Sequence, residues 1–111
     1  MNFWNEYDEV VYIQDFVDPR TKKTYMIHTH SQLVNKSPML GMLANEVYLT
    51  DADINHDILV CIARKAFFPD EIQSYDDLLE KMQVIIESRL DEGIAKFEEI
   101  LEFGIIDADV S

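Results

Sequence analysis

The chain has 111 residues, with 22 Asp and Glu against 9 Lys and Arg, giving a formal net charge of -13. A folded chain of this size buries about two-thirds of the surface it would expose unfolded, enough for a core without staples. The single Cys61 excludes an intrachain disulfide framework and Cys-pair zinc motifs, and no run of apolar residues approaches membrane-spanning length.

The opening segment, Met1 to Glu9, holds three acids and no basic stretch leading into an apolar one, so the sequence reads as an untargeted cytoplasmic protein. Phe3, Trp4 and Tyr7 stand beside those acids. Trp4 and Tyr7 read either as aromatic anchors of a protein interface or as residues that close the core.

Glu9 to Val17 is rich in Val, Ile, Tyr and Phe and is predicted to be a strand, with a bulge allowed by its imperfect alternation. Asp18-Pro19-Arg20-Thr21-Lys22-Lys23 supplies turn chemistry, because proline pre-sets φ and an aspartate can bond the backbone two residues on. Thr24 to His30 is the returning strand of a hairpin. Pro38 and Gly41 interrupt the next stretch, which allows at most a short helix, and Glu46 to Leu49 reads as a third strand or the approach to a helix.

Thr50 or Asp51 is predicted to cap a helix carrying Ile54, Ile58, Cys61 or Ile62 and Ala66 at helical spacing. Acids at its start, Arg64 and Lys65 near its end, and Phe67-Phe68-Pro69 as its stop all agree with that reading. A second helix starts at Ser74, with Asp77 in the capping-box position. Its apolar series runs from Leu78 to Leu101 in steps of three and four. Unbroken from Tyr75 to Phe103 it would span about 43 Å; Gly93 is the expected weak point, and Gly104 the expected cap. These elements predict an α+β class in one domain over residues 1–111: a small N-terminal antiparallel hairpin or short sheet packed against two to four helices.

Chemistry-bearing motifs are sparse. Asp51-Ala52-Asp53-Ile54-Asn55-His56-Asp57 spaces oxygen ligands like a calcium loop, but His56 and Ile62 occupy the places of the required Gly and Glu. His28 and His30 share a strand face, yet no third ligand lies at a fixed spacing, so they read as surface or interface residues. Cys61 reads as a buried structural thiol. No phosphate loop, nucleophile elbow or zinc helix is present, and neither enzyme activity, metal nor cofactor is expected.

Charge is the stronger signal. Residues 1–50 carry six acids and four bases, whereas residues 51–111 carry sixteen acids and five bases. Asp76/Glu80, Glu87/Asp91 and Glu98/Glu102 are like-charge pairs at four-residue spacing, a local cost that a cationic partner would relieve. The expected binding residues are therefore Trp4, Tyr7, Asp76, Asp77, Glu80, Glu87, Asp91, Glu98 and Glu102. The expected partner is a basic protein, most concretely a nuclease-type toxin neutralised by an immunity protein or antitoxin. Direct binding to nucleic acid or membrane is not expected, since the acidic surface repels phosphates. Two alternatives are a DNA mimic that blocks a DNA-binding enzyme, and an adaptor whose apolar helix edge forms a coiled-coil or homodimer seam.

Overall fold

A computed structural model describes residues 9–34, 41–52 and 58–103. Four strands form one antiparallel sheet in the order β1-β2-β3-β4: β1 (Glu9–Val17), β2 (Thr24–Leu33), β3 (Leu43–Asp51) and β4 (Val60–Phe67). A single 3₁₀ turn at Pro69–Glu71 leads into the helix α1 (Tyr75–Phe103). The class is α+β, as predicted, but among the described residues one α-helix replaces the expected two to four.

The first hairpin follows its local chemistry. Asp18 Oδ1 accepts the Arg20 amide at 3.0 Å, two residues on, while Lys22 takes a left-handed φ of 64°. Register then fixes the faces. Tyr25, Ile27 and Thr29 of β2 pair with Asp51, Leu49 and Val47 of β3, and all six are buried beneath α1. Asn45, 2% exposed, belongs to the same layer with its polar groups satisfied: it accepts from Ser31 Oγ and donates to the carbonyls of Leu43 and Lys65.

The largest correction concerns the helix expected after Asp51. Residues 60–67 form the strand β4, paired with β3 from Leu43↔Phe67 to Leu49↔Val60. Spacing of four suits a helix and an interrupted alternation equally over so short a run. Tertiary pairing decides: without β4, Val47 and Leu49 would sit on an uncovered edge. Between Val47/Tyr48 the register shifts by one, so that Ile62 is the extra residue of a bulge. Ile62 and Ala63 both join the core, whereas Cys61 pairs with Tyr48 and is buried outside the core cluster. Thr50 and Asp51, expected to cap that helix, are the last residues of β3, and residues 58–59 lie in neither helix nor strand. Residues 53–57, which hold most of the calcium-like spacing, lie outside the described residues, as do residues 35–40 of the expected short helix, and Gly104 with the tail.

Helix α1 is unbroken for 29 residues and runs the length of a molecule 44 Å in its longest dimension. Ser74 Oγ accepts the Asp77 amide at 3.1 Å, and Asp77 returns a carboxylate oxygen to the Gln73 amide at 2.9 Å, one residue before the usual reciprocal donor. Leu78, Met82, Ile86, Ile94 and Phe97 face the sheet. Gly93, read above as a weak point, is a contact point instead. It is buried, and a Cβ there would overlap the γ2-methyl carbon of Ile62. Glycine lets the helix lie close on the bulge of β4.

Candidate functional site

Two surfaces remain after the core is accounted for. The first is the outer face of α1. With about 100° between successive residues, Asp76, Glu80, Glu87, Asp91, Glu98 and Glu102 fall within roughly a quarter of the helix circumference, bordering the buried face, since buried Ile94 lies five turns on from Asp76. All six are exposed. The helix bases, Lys81, Arg89 and Lys96, fall on another flank; Arg20 of the β1–β2 turn, held first by Asp18, is the base whose charge Asp91 and Glu98 of the row also favour.

The row has a regularity that the four-residue pairs alone do not reveal. Asp76, Glu87 and Glu98 are spaced by eleven residues, and so are Glu80, Asp91 and Glu102. Eleven residues make three turns at about 3.67 residues each, close to the natural helical period, so the three pairs stay in line instead of winding around the helix. At 1.5 Å per residue the pairs repeat about every 16 Å over about 39 Å. Val84, 69% exposed, and Ala95 sit between successive pairs on the same row.

The structure brings six of the expected binding residues together and sets Asp77 apart from them. Asp77 is half-buried and engaged locally, with Lys81 Nζ 2.6 Å from its Oδ1. That hydrogen bond, and then the Gln73 amide, hold its carboxyl below the usual 3.8. It therefore serves the helix start rather than the row. Trp4 and Tyr7 lie outside the described residues.

Comparison with protein-family models, curated proteins and solved structures finds no match. The site must therefore be read from its own chemistry.

The second surface is the sheet face turned away from α1. Across it run two rows set by the register: Val11, His30, Glu46 and Arg64, and beside them Ile13, His28, Tyr48 and Cys61. The imidazoles of His28 and His30 lie near parallel with centroids 6.3 Å apart, and His30 Nδ1 is 2.9 Å from Glu9 Oε1. Tyr48 donates its hydroxyl to Glu46 Oε2 at 2.5 Å, and this bond, with burial second, pushes its pKa up to about 12. A shallow cleft of about 280 Å³ opens among Glu9, His30, Gln32, Ala44, Glu46 and Tyr48. Among the described residues no three His, Cys, Asp or Glu side chains are placed to hold a metal, so the pairing of His28 and His30 remains a pair. Cys61 is buried, and its thiol points to the Ala63 carbonyl at 3.7 Å.

His28 has a measurable signature. Burial first, and the charge of His30 second, lower its pKa below 6.5, and its Nε2 is enclosed without a hydrogen-bond partner. Because the unfolded chain then binds the proton more readily, the contribution of neutral His28 is complete above about pH 6.5 and is lost as pH falls through the lower folded value. Urea unfolding at pH 7.5 and 5.5 should show a smaller acid loss for His28→Gln than for the unchanged protein. Equal losses would contradict this.

Proposed function

We propose that this protein binds and inhibits a basic protein in the cytoplasm, most concretely as an immunity protein or antitoxin that neutralises a nuclease-type toxin by covering its cationic surface. The observation that carries the reading is the straight row of six exposed carboxylates on α1, with the helix bases on the other flank. An enzyme that cleaves nucleic acid needs a cationic cleft for phosphates. A rigid acidic helix about 39 Å long, seated on a sheet, can lie across such a cleft, steer the encounter and exclude substrate. Val84 and Ala95 add apolar contact between the charged pairs, where desolvated anchors contribute most of the affinity. The mechanism is occlusion; no bond is made or broken by this chain.

The same geometry weighs against the alternatives. Duplex DNA carries a charge about every 1.7 Å along its axis, whereas the row offers six over about 39 Å, a poor match to two dense phosphate strands. The adaptor reading requires the apolar edge of the helix as a seam. Leu78, Met82, Ile86, Ile94 and Phe97 are instead buried against the chain's own sheet.

The test is recovery of partners with the tagged protein from its own cell lysate at low and moderate salt. The reading expects one stoichiometric basic protein whose nucleic-acid-cleaving activity disappears in the complex. Recovery of acidic proteins alone, or of a basic protein whose activity is untouched, overturns it.

A further inference from the structure

We propose that the groove between β1 and α1 seats one aromatic side chain of the basic partner, flanked in that partner by lysines or arginines that meet Asp76, Glu80 and Glu87. The proposal rests on the inhibitor reading and adds to it the place where binding is anchored. The groove follows from widths. An α-helix is about 10 Å across and neighbouring strands lie about 4.8 Å apart, so one helix covers about two strands of four. Helix α1 packs mainly on β4 and β3. The helix-facing row of β1, Val10, Tyr12, Gln14 and Phe16, is therefore incompletely covered, and Tyr12 is 40% exposed. Between that row and α1 lies a space of about 210 Å³, walled by Tyr12, Gln14, Leu79, Glu80, Gln83 and Ile86. It is smaller than the roughly 300–1,000 Å³ of small-molecule sites, room for one large side chain rather than for a free ligand or a whole helix.

The walls select the occupant. Tyr12, Leu79 and Ile86 offer apolar contact, and Glu80 stands in the wall itself, with Asp76 one turn before it on α1. Gln14 Nε2 donates to Gln83 Oε1 at 3.3 Å, and Gln83 Nε2 donates to Glu87 Oε1 at 3.4 Å, so two amides join β1 to the carboxylate row beside the groove. Farther along the row, Asp91 and Glu98 favour the charge of Arg20. The groove thus adjoins the half of the row that is left to draw bases from outside the chain. An apolar anchor seated in a pocket and ringed by charged contacts is the arrangement in which protein interfaces concentrate their affinity, and tryptophan, tyrosine and arginine are its usual occupants. A phosphate chain or an acidic segment would set its own charge against Glu80 and its neighbours.

The test follows the amide chemical shifts of the full chain during titration with a peptide in which one tryptophan is flanked by lysines on both sides, and with the same peptide carrying alanine in place of tryptophan. The expected result is at least about tenfold tighter binding of the tryptophan peptide, with shifts centred on Tyr12, Gln14, Leu79 and Gln83. Gln14→Phe fills the groove and Tyr12→Ala removes a wall, and neither changes the net charge. Each should erase the advantage of tryptophan while the alanine peptide binds as before and the far-ultraviolet dichroism stays unchanged. The two changes act on the groove in opposite ways, which guards against a loss caused by misfolding. Equal affinity of the two peptides, or an advantage of tryptophan that survives both substitutions, overturns the groove proposal and leaves the attraction of the row for bases standing. Absence of binding by both lysine peptides at low salt overturns the groove proposal and counts against the inhibitor reading as well.

Discussion

Replacing Lys23 by alanine is expected to lower the stability of the domain by about 3 kcal/mol. Its ammonium stands 3.0 Å from Asp51 Oδ2, and the Asp51 side chain is fully enclosed. The same ammonium lies 5.3 Å from the centroid of the Tyr25 ring and 5.2 Å from that of Phe97, two rings that meet edge to face at 5.6 Å. Alanine therefore removes the cation beside a buried carboxylate and the cap over two core aromatics at once. The expected loss is larger than a surface pair would give, because the carboxylate cannot recover solvation without opening the sheet end. Urea unfolding provides the measurement. Lys23→Met combined with Asp51→Asn should cost less than Lys23→Met alone, because no buried charge is then left behind. A loss below about 1 kcal/mol for Lys23→Ala would show that Asp51 does not depend on this ammonium.

The second large effect is expected at Gly93. In an exposed helix, replacing glycine with alanine gains up to about 1 kcal/mol from propensity. Here the first added carbon meets the γ2-methyl of Ile62, which branches directly from Cβ and is fully buried, so it cannot swing aside as a flexible chain end could. Valine at position 93 adds two further carbons and should destabilise by about 3 kcal/mol. Alanine should be milder, with the propensity gain offsetting part of the clash. Ile62→Ala removes the obstructing methyl. Combined with Gly93→Ala it should cost less than the sum of the two single losses, the signature of direct contact. Strict additivity in that cycle would place the cost of Gly93→Ala in the helix alone.

These two positions show where the sequence was legible and where it was not. Periodicity over 29 residues identified α1, since a long apolar stripe at steps of three and four has no strand equivalent. The boundaries of β1 were likewise readable, because the turn chemistry of Asp18 and Pro19 marks its end. Strand β4 was not. Its Val60-Cys61-Ile62-Ala63 run is buried throughout, its bulge breaks the alternation, and Arg64 and Lys65 imitate a helix end; only pairing with β3 distinguishes the two. The contact that makes Gly93 necessary depends on that same bulge, so a local rule could read it only as a flaw. The Lys23 and Asp51 pair joins residues 28 apart in sequence through strand register, which no spacing rule reveals. The acidic row was half legible. Its pairs were plain, but Asp77 had to be removed from it by its bonds to Gln73 and Lys81, and the eleven-residue repeat, though present in the sequence, acquires meaning only on a straight helix with a known buried face.

The central claim is that the carboxylate row of α1 recognises a basic protein, and the affinity of the recovered partner for a row-neutralised variant tests it most directly. Asp76, Asp91, Glu80, Glu87, Glu98 and Glu102 would be changed together to Asn or Gln, sites whose exposure keeps the fold intact. Binding would be measured against the unchanged protein from low to moderate salt. The account predicts at least about a hundredfold weaker binding at low salt and a much shallower dependence on salt concentration for the variant. Equal affinity and an equal salt dependence in the two proteins would contradict it.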